Sequence, residues 1–261
     1  MSRWTYAAII ILLGVSFLGI SIVLLLLGYN ELVNSYSMII APATALLIGI
    51  IGISFFGRES FLKEDRYHTL NVWFALGLVF FSLADITAIL VYMNENSSEI
   101  CFTIGLVQIP GLLLWMLGIV GYLKSLDSSL RLTEGTQLWL AIGIITTLAS
   151  LSLIVIITIL FPSRNVLSSI VSIPIIVVLG LIVCVIAGMF WIFKEGYISR
   201  PLLLLLFGVA LLFVRSVFWQ IQDFCEGNSL SQIAAIESYL ILGASFLLAS
   251  KLNVIFESDE E

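Results

Sequence analysis

Asp85, Gln108, Arg215 and Glu237 each interrupt a long apolar run. A guanidinium can pair with a carboxylate, a carboxylate can hold a proton or a cation, and an amide can orient either. Two carboxylates set against one guanidinium leave the balance incomplete, so either one acid is protonated or a cationic ligand completes it. An ionisable group in a bilayer core costs about 2.5–3.5 kcal/mol on insertion scales, which marks each of these positions as one that needs a partner.

The elements that carry them are membrane spans. Of 261 residues, 61% are apolar and 11% are charged, whereas a soluble domain carries about 25% charged residues. A soluble fold, a disordered chain and a disulfide scaffold are therefore excluded together. A net charge of −6 and a pI near 4.8 argue against nucleic acid, whose phosphates need a basic face.

Eight apolar segments are long enough to cross about 30 Å of hydrocarbon. They run from about Tyr6 to Gly28, Met38 to Phe56, Thr69 to Met93, Cys101 to Leu123, Gln137 to Phe161, Ser168 to Phe193, Pro201 to Asp223 and Gln232 to Phe256. The fold expected is a single all-α domain, a polytopic integral membrane protein with no soluble part. The first segment is too long for a signal h-region and lacks a small-x-small cleavage site, so it reads as a retained helix. Of the 11 basic residues, Arg3, Arg58, Lys63, Arg66, Lys124, Arg131, Lys194, Arg200 and Lys251 fall on one face of this arrangement. Cytoplasmic loops hold the Lys and Arg excess, so both termini are expected in the cytoplasm and the chain in the cell membrane.

Counted from the outer ends of their spans, Asp85 and Arg215 lie about eight residues deep, Gln108 about seven and Glu237 about six, which is about 9–12 Å at the helical rise. Pro42, Pro110 and Pro174 lie in the same half, each removing an N–H and displacing the carbonyl one turn back. Kinks at membrane depth are tolerated where neighbours or water satisfy the freed groups, and a polar cleft opening outward is the expectation. Arg215 with Asp85 or Glu237 reads equally as a structural pair or as part of a ligand or proton site.

Other chemistries find little support. His68 stands alone at the inner side, without the ligand set of a zinc site or a partner for a serine nucleophile. An acid pair of Asp85 and Glu237 would require Arg215 to turn away. No phosphate-binding loop is present, and Lys251 sits at a helix end. No cofactor or metal is expected. Cys101 and Cys225 both fall at the outer surface, which leaves a disulfide between them open, while Cys184 lies in the inner half of the sixth span. An internal echo relates LGLVFFSLAD at Leu76 to Asp85 with FGVALLFVRS at Phe207 to Ser216, as two parallel four-helix repeats would.

The stretch VRSVFWQIQDFCEG at Val214 to Gly227, followed by Glu237 and Tyr239, resembles the late helices of the fungal lipid-translocating exporter family. Arg215 and Glu237 match that family's pattern. Its second arginine is Trp219 here, its glutamate is Gln222, and the family has seven helices. The resemblance covers about a sixth of the chain, carries over only Arg215 and Glu237, and implies movement or sensing of amphiphilic lipids. The polar layer expected from residue type and depth is Asp85, Gln108, Arg215 and Glu237, with Trp219 beside it. The expectation is a protein that binds or transports an amphiphilic or cationic small molecule among membrane lipids. The alternative is a sensor or receptor that signals through a partner.

Overall fold

The computed structural model describes residues 3–57, 66–93, 97–130, 166–221 and 229–250. These form seven helices: α1 (Arg3–Leu26), α2 (Asn30–Phe56), α3 (Arg66–Met93), α4 (Ser97–Leu130), α5 (Val166–Ile192), α6 (Ser199–Ile221) and α7 (Ser229–Ala249). All seven are long and apolar enough to span a membrane, so the chain is a multi-pass membrane protein, with helices joined by turns and no strand among its described residues. The bilayer core offers no water to hydrogen-bond the backbone, and a helix meets that demand within itself. The fifth expected span, 137–161, lies outside the described residues, as does the end of the eighth.

Helix and apolar segment do not coincide. The stretch Asn30 to Tyr36, expected as a loop, forms the first two turns of α2. Apolarity reports the hydrocarbon-buried part of a helix, whereas the helix itself continues while tertiary contacts hold it. Here Val33 and Ser37 are fully buried, and the Asn30 carbonyl accepts a hydrogen bond from Ser229 Oγ of α7 (3.4 Å). The link from α1 to α2 is accordingly very short. Gly28, at φ 84°, ends α1 with the Tyr29 N–H on the Leu24 carbonyl and the Gly28 N–H on that of Leu25, a closure that needs the left-handed conformation glycine adopts freely.

Six helices close into a ring in the order α4, α3, α2, α7, α6, α5 and back to α4, and α1 packs outside it, chiefly on α7. Burial follows this plan: 72% of the α7 span is buried, against 11% for α1. Lipid tails are as apolar as leucine, so close packing and interhelical hydrogen bonds must hold the ring together. Ser82 Oγ donates to the Pro42 carbonyl (2.8 Å), Ser238 Oγ to the Gly208 carbonyl (2.7 Å) and Ser245 Oγ to the Pro201 carbonyl (2.8 Å). Between α3 and α4, Trp115 is stacked between Phe74 and Phe81 (centroids 4.7 and 4.9 Å away) and donates its indole N–H to the Phe74 carbonyl (2.9 Å).

The ring is closed under exchange of α2, α3 and α4 with α5, α6 and α7. Gly77 and Gly208, at matching positions in the two similar segments, mark the close approach of the next helix. A Cβ on Gly77 would meet the Trp115 indole and the Gly111 carbonyl; one on Gly208 would meet the Leu242 side chain and the Ser238 carbonyl. Gly111 then pairs with Ser238, and one turn further Trp115 with Leu242. Pro42 and Pro174 precede their glycines by the same interval to within one residue. These correspondences extend the sequence echo from one segment to three helices.

Two ends of the bundle can be told apart. Phe56, His68 and Phe246 cluster at one, and Asn30 and Ser229 meet at the other.

Candidate functional site

Arg215 reaches from α6 across the ring to α3. Its Nη2 donates to Asp85 Oδ1 (2.6 Å), its Nη1 to Tyr239 Oη (3.0 Å) and its Nε to Ser231 Oγ (3.3 Å). The Tyr239 hydroxyl in turn donates to Asp85 Oδ2 (2.8 Å). Both carboxylate oxygens of Asp85 are thus engaged, one by the guanidinium and one by the phenol. Asp85 and Arg215 are each 2% exposed and Tyr239 is fully buried, so the ion pair faces the bundle interior. The low dielectric there strengthens the pair and raises the penalty for separating it.

Glu237 is not part of this set. It sits on α7 about 200° around the helix from Tyr239 at 3.6 residues per turn, and so faces α1. A Cβ built on Gly14 would lie 2.6 Å from Glu237 Oε2 and 3.4 Å from Leu240 Cδ1. The carboxyl therefore fills the space that glycine leaves in α1. Glu237 Oε1 is buried and has no hydrogen-bond partner among the described residues.

The polar layer thus divides into a saturated bridge and a separate carboxyl whose buried Oε1 has no hydrogen-bond partner among the described residues. Asp85 and Glu237 form no acid pair, because Arg215 occupies the first and the second turns outward. No protein-family model matches the chain, and comparison with curated proteins and with solved structures returns no match. Function must therefore be argued from these two sites.

The other expected residues disperse. Gln108 is buried on α4, but no hydrogen bond links it to the bridge. Trp219 belongs to α6, and its side chain lies outside the described residues. The three prolines sit inside continuous helices and differ in burial: Pro42 is buried with its carbonyl on Ser82 of α3, Pro110 is half-buried and Pro174 is exposed. The side chains that would decide a Cys101 to Cys225 disulfide lie outside the described residues, and Cys184 is a free thiol. Among the described residues no group of His, Cys, Asp and Glu gathers to hold a metal ion.

Sequence reasoning overlooked Ser231 and Gly14 as site residues and noted Tyr239 only in passing. Ser231 and Tyr239 are eight positions apart on one helix, which places them on the same face, a signal readable without a structure. Nothing in the sequence singles out Gly14, because its role depends on which helix lies opposite α7.

Proposed function

We propose that this chain is an eight-span cell-membrane protein, with both termini cytoplasmic, that binds or transports a cationic amphiphile at Glu237. The single observation carrying the reading is the Glu237 carboxyl, buried at Oε1 without a hydrogen-bond donor, while Arg215 is already committed to Asp85. A carboxylate held at membrane depth without a cation is favourable only when something supplies the missing charge or proton. A protonated amine head group supplies both charge and donors, and an apolar tail matches the lipid around the helices.

The eight-span topology is supported by helix direction. α4 and α5 lie side by side and run parallel, since Gly105 near the start of one packs on Val171 and Ile175 near the start of the other. A chain leaving α4 at one end of the bundle must return to the other before α5 begins, as a span at 137–161 would allow. Orientation is supported by charge: Arg3, Arg66, Lys124, Lys194 and Arg200 belong to the end holding His68, and the opposite end has no basic residue among its described positions. Reporter fusions at Ser128 and at the C-terminus are expected to read cytoplasmic and a fusion at Ser97 external. Opposite readings at Ser128 and the C-terminus would overturn the even count.

The site is tested by equilibrium binding of dodecylamine to the purified protein in phosphatidylcholine nanodiscs. Saturable binding is expected, weakened at least about thirtyfold by Glu237→Gln, because truncating one partner of a buried charge pair costs about 2–5 kcal/mol. Equal binding by the variant would remove Glu237 from the site.

A further inference from the structure

Glu237 faces away from the ring interior, toward α1, and α1 is the least buried of the seven described helices. Its buried positions Ala7, Gly14 and Ser21 recur every seven residues, a narrow seam of small residues with the coiled-coil period. Leu12, Leu13, Val15 and Ile20 around that seam are exposed, and the bulky α1 side chains that pack on the core, Ile10 and Phe17, lie about one turn to either side of Gly14, so at the Glu237 level itself α1 presents only a glycine. Ala7 packs with Ala244 and Leu248 at one end of the seam, and Ser21 shares a hydrogen bond with Tyr36 of α2 (2.8 Å) at the other. The tight turn at Gly28 then joins α1 to α2, leaving the Ala7 end with the greater freedom to move.

We infer that Glu237 takes the primary ammonium head of a single-chain amphiphile entering sideways from the lipid, admitted when α1 swings away from α7 about its Gly28 end. The inference rests on the reading of Glu237 as the binding carboxyl and adds to it a route and a head-group chemistry. Docked, α1 leaves no room for a head group, since even a methyl on Gly14 would touch Glu237; entry therefore requires α1 to move. The orphaned Oε1 calls for a donor. A primary ammonium brings three N–H groups, whereas a trimethylammonium group brings none and offers only charge. The tail needs no pocket, because α1 borders lipid on its remaining faces. One site per chain follows from the ring's internal correspondence, in which the position matching Glu237 is Pro110.

Disulfide trapping reads the motion directly. In a background with Cys101, Cys184 and Cys225 changed to serine, Ala7→Cys and Ala244→Cys place thiols across the α1–α7 seam. Their oxidation rate is followed in phosphatidylcholine nanodiscs with no amphiphile, with dodecylamine and with dodecyltrimethylammonium. Rapid crosslinking without amphiphile reports a folded protein with α1 docked. Dodecylamine is expected to slow it at least about tenfold by holding α1 undocked most of the time, and the trimethyl compound to slow it far less. Equal rates with the two compounds would overturn the head-group assignment, and an unchanged rate with dodecylamine would overturn the route. Because neither comparison requires a variant at Glu237, a misfolded Glu237→Gln protein leaves the test intact. Binding that depends on Glu237 without slowing of the crosslink would defeat the lateral route alone, whereas binding indifferent to Glu237 would defeat the site itself.

Discussion

Arg215→Gln should lower stability by about 3–5 kcal/mol, because it leaves the Asp85 carboxylate inside the ring with only the Tyr239 hydroxyl to satisfy it. Asp85→Asn should be comparably harmful, since the guanidinium is then stranded with neutral acceptors. The diagnostic result is the choice of rescuer. Asp85→Asn combined with Arg215→Gln removes both charges and should regain most of the loss, whereas Glu237→Gln combined with Arg215→Gln should regain none, because Glu237 faces α1. Tyr239→Phe removes one hydrogen bond to each charged partner and should cost about 1.5–3 kcal/mol. Thermal unfolding in nanodiscs ranks the series, and rescue by Glu237→Gln would contradict the pairing described above.

The second large effect is expected at an uncharged residue. Trp115 is fully buried, stacked between Phe74 and Phe81, and bonded to the Phe74 carbonyl. Trp115→Ala leaves a cavity the size of an indole at the seam of α3 and α4, with a cost of about 3–5 kcal/mol. In a bilayer that cost comes from lost dispersion contacts, since the unfolded reference is also apolar. Trp115→Phe keeps an aromatic ring in the stack and loses the indole hydrogen bond, which in membrane proteins amounts to about 0.6–1.7 kcal/mol, together with the smaller part of the ring's packing. Unfolding midpoints for the two variants should therefore differ widely; similar midpoints would mean that the indole N–H, and not the packed ring, holds the seam.

Much of the fold was legible because bilayer physics is coarse. Apolar length alone located α1 to α7, and basic residues such as Arg66 and Arg200 fell at one end of the bundle. The same coarseness misplaced the start of α2, because Asn30 to Ser37 is polar enough to read as a loop while Val33 is buried against its neighbours. At the site, residue type revealed which groups require partners. It did not reveal which partner each takes. Asp85 and Glu237 are chemically near-equivalent and similar in depth, and only the rotation of α7 decides that Tyr239 and Ser231 face Arg215 while Glu237 faces Gly14. That rotation is set by contacts such as Leu242 on Gly208 and Phe246 on Gly52, which sequence does not display.

On the proposed function the two carboxylates have different tasks, Asp85 holding the ring and Glu237 holding the ligand. Dodecylamine binding by Glu237→Gln and by the paired variant Asp85→Asn with Arg215→Gln separates them in one measurement. Binding is expected to be lost in the first and retained within about threefold in the second, whose neutral bridge leaves α7 in place. Loss of binding in the paired variant while it still unfolds cooperatively, with binding kept in Glu237→Gln, would contradict the division and move the ligand site into the bridge.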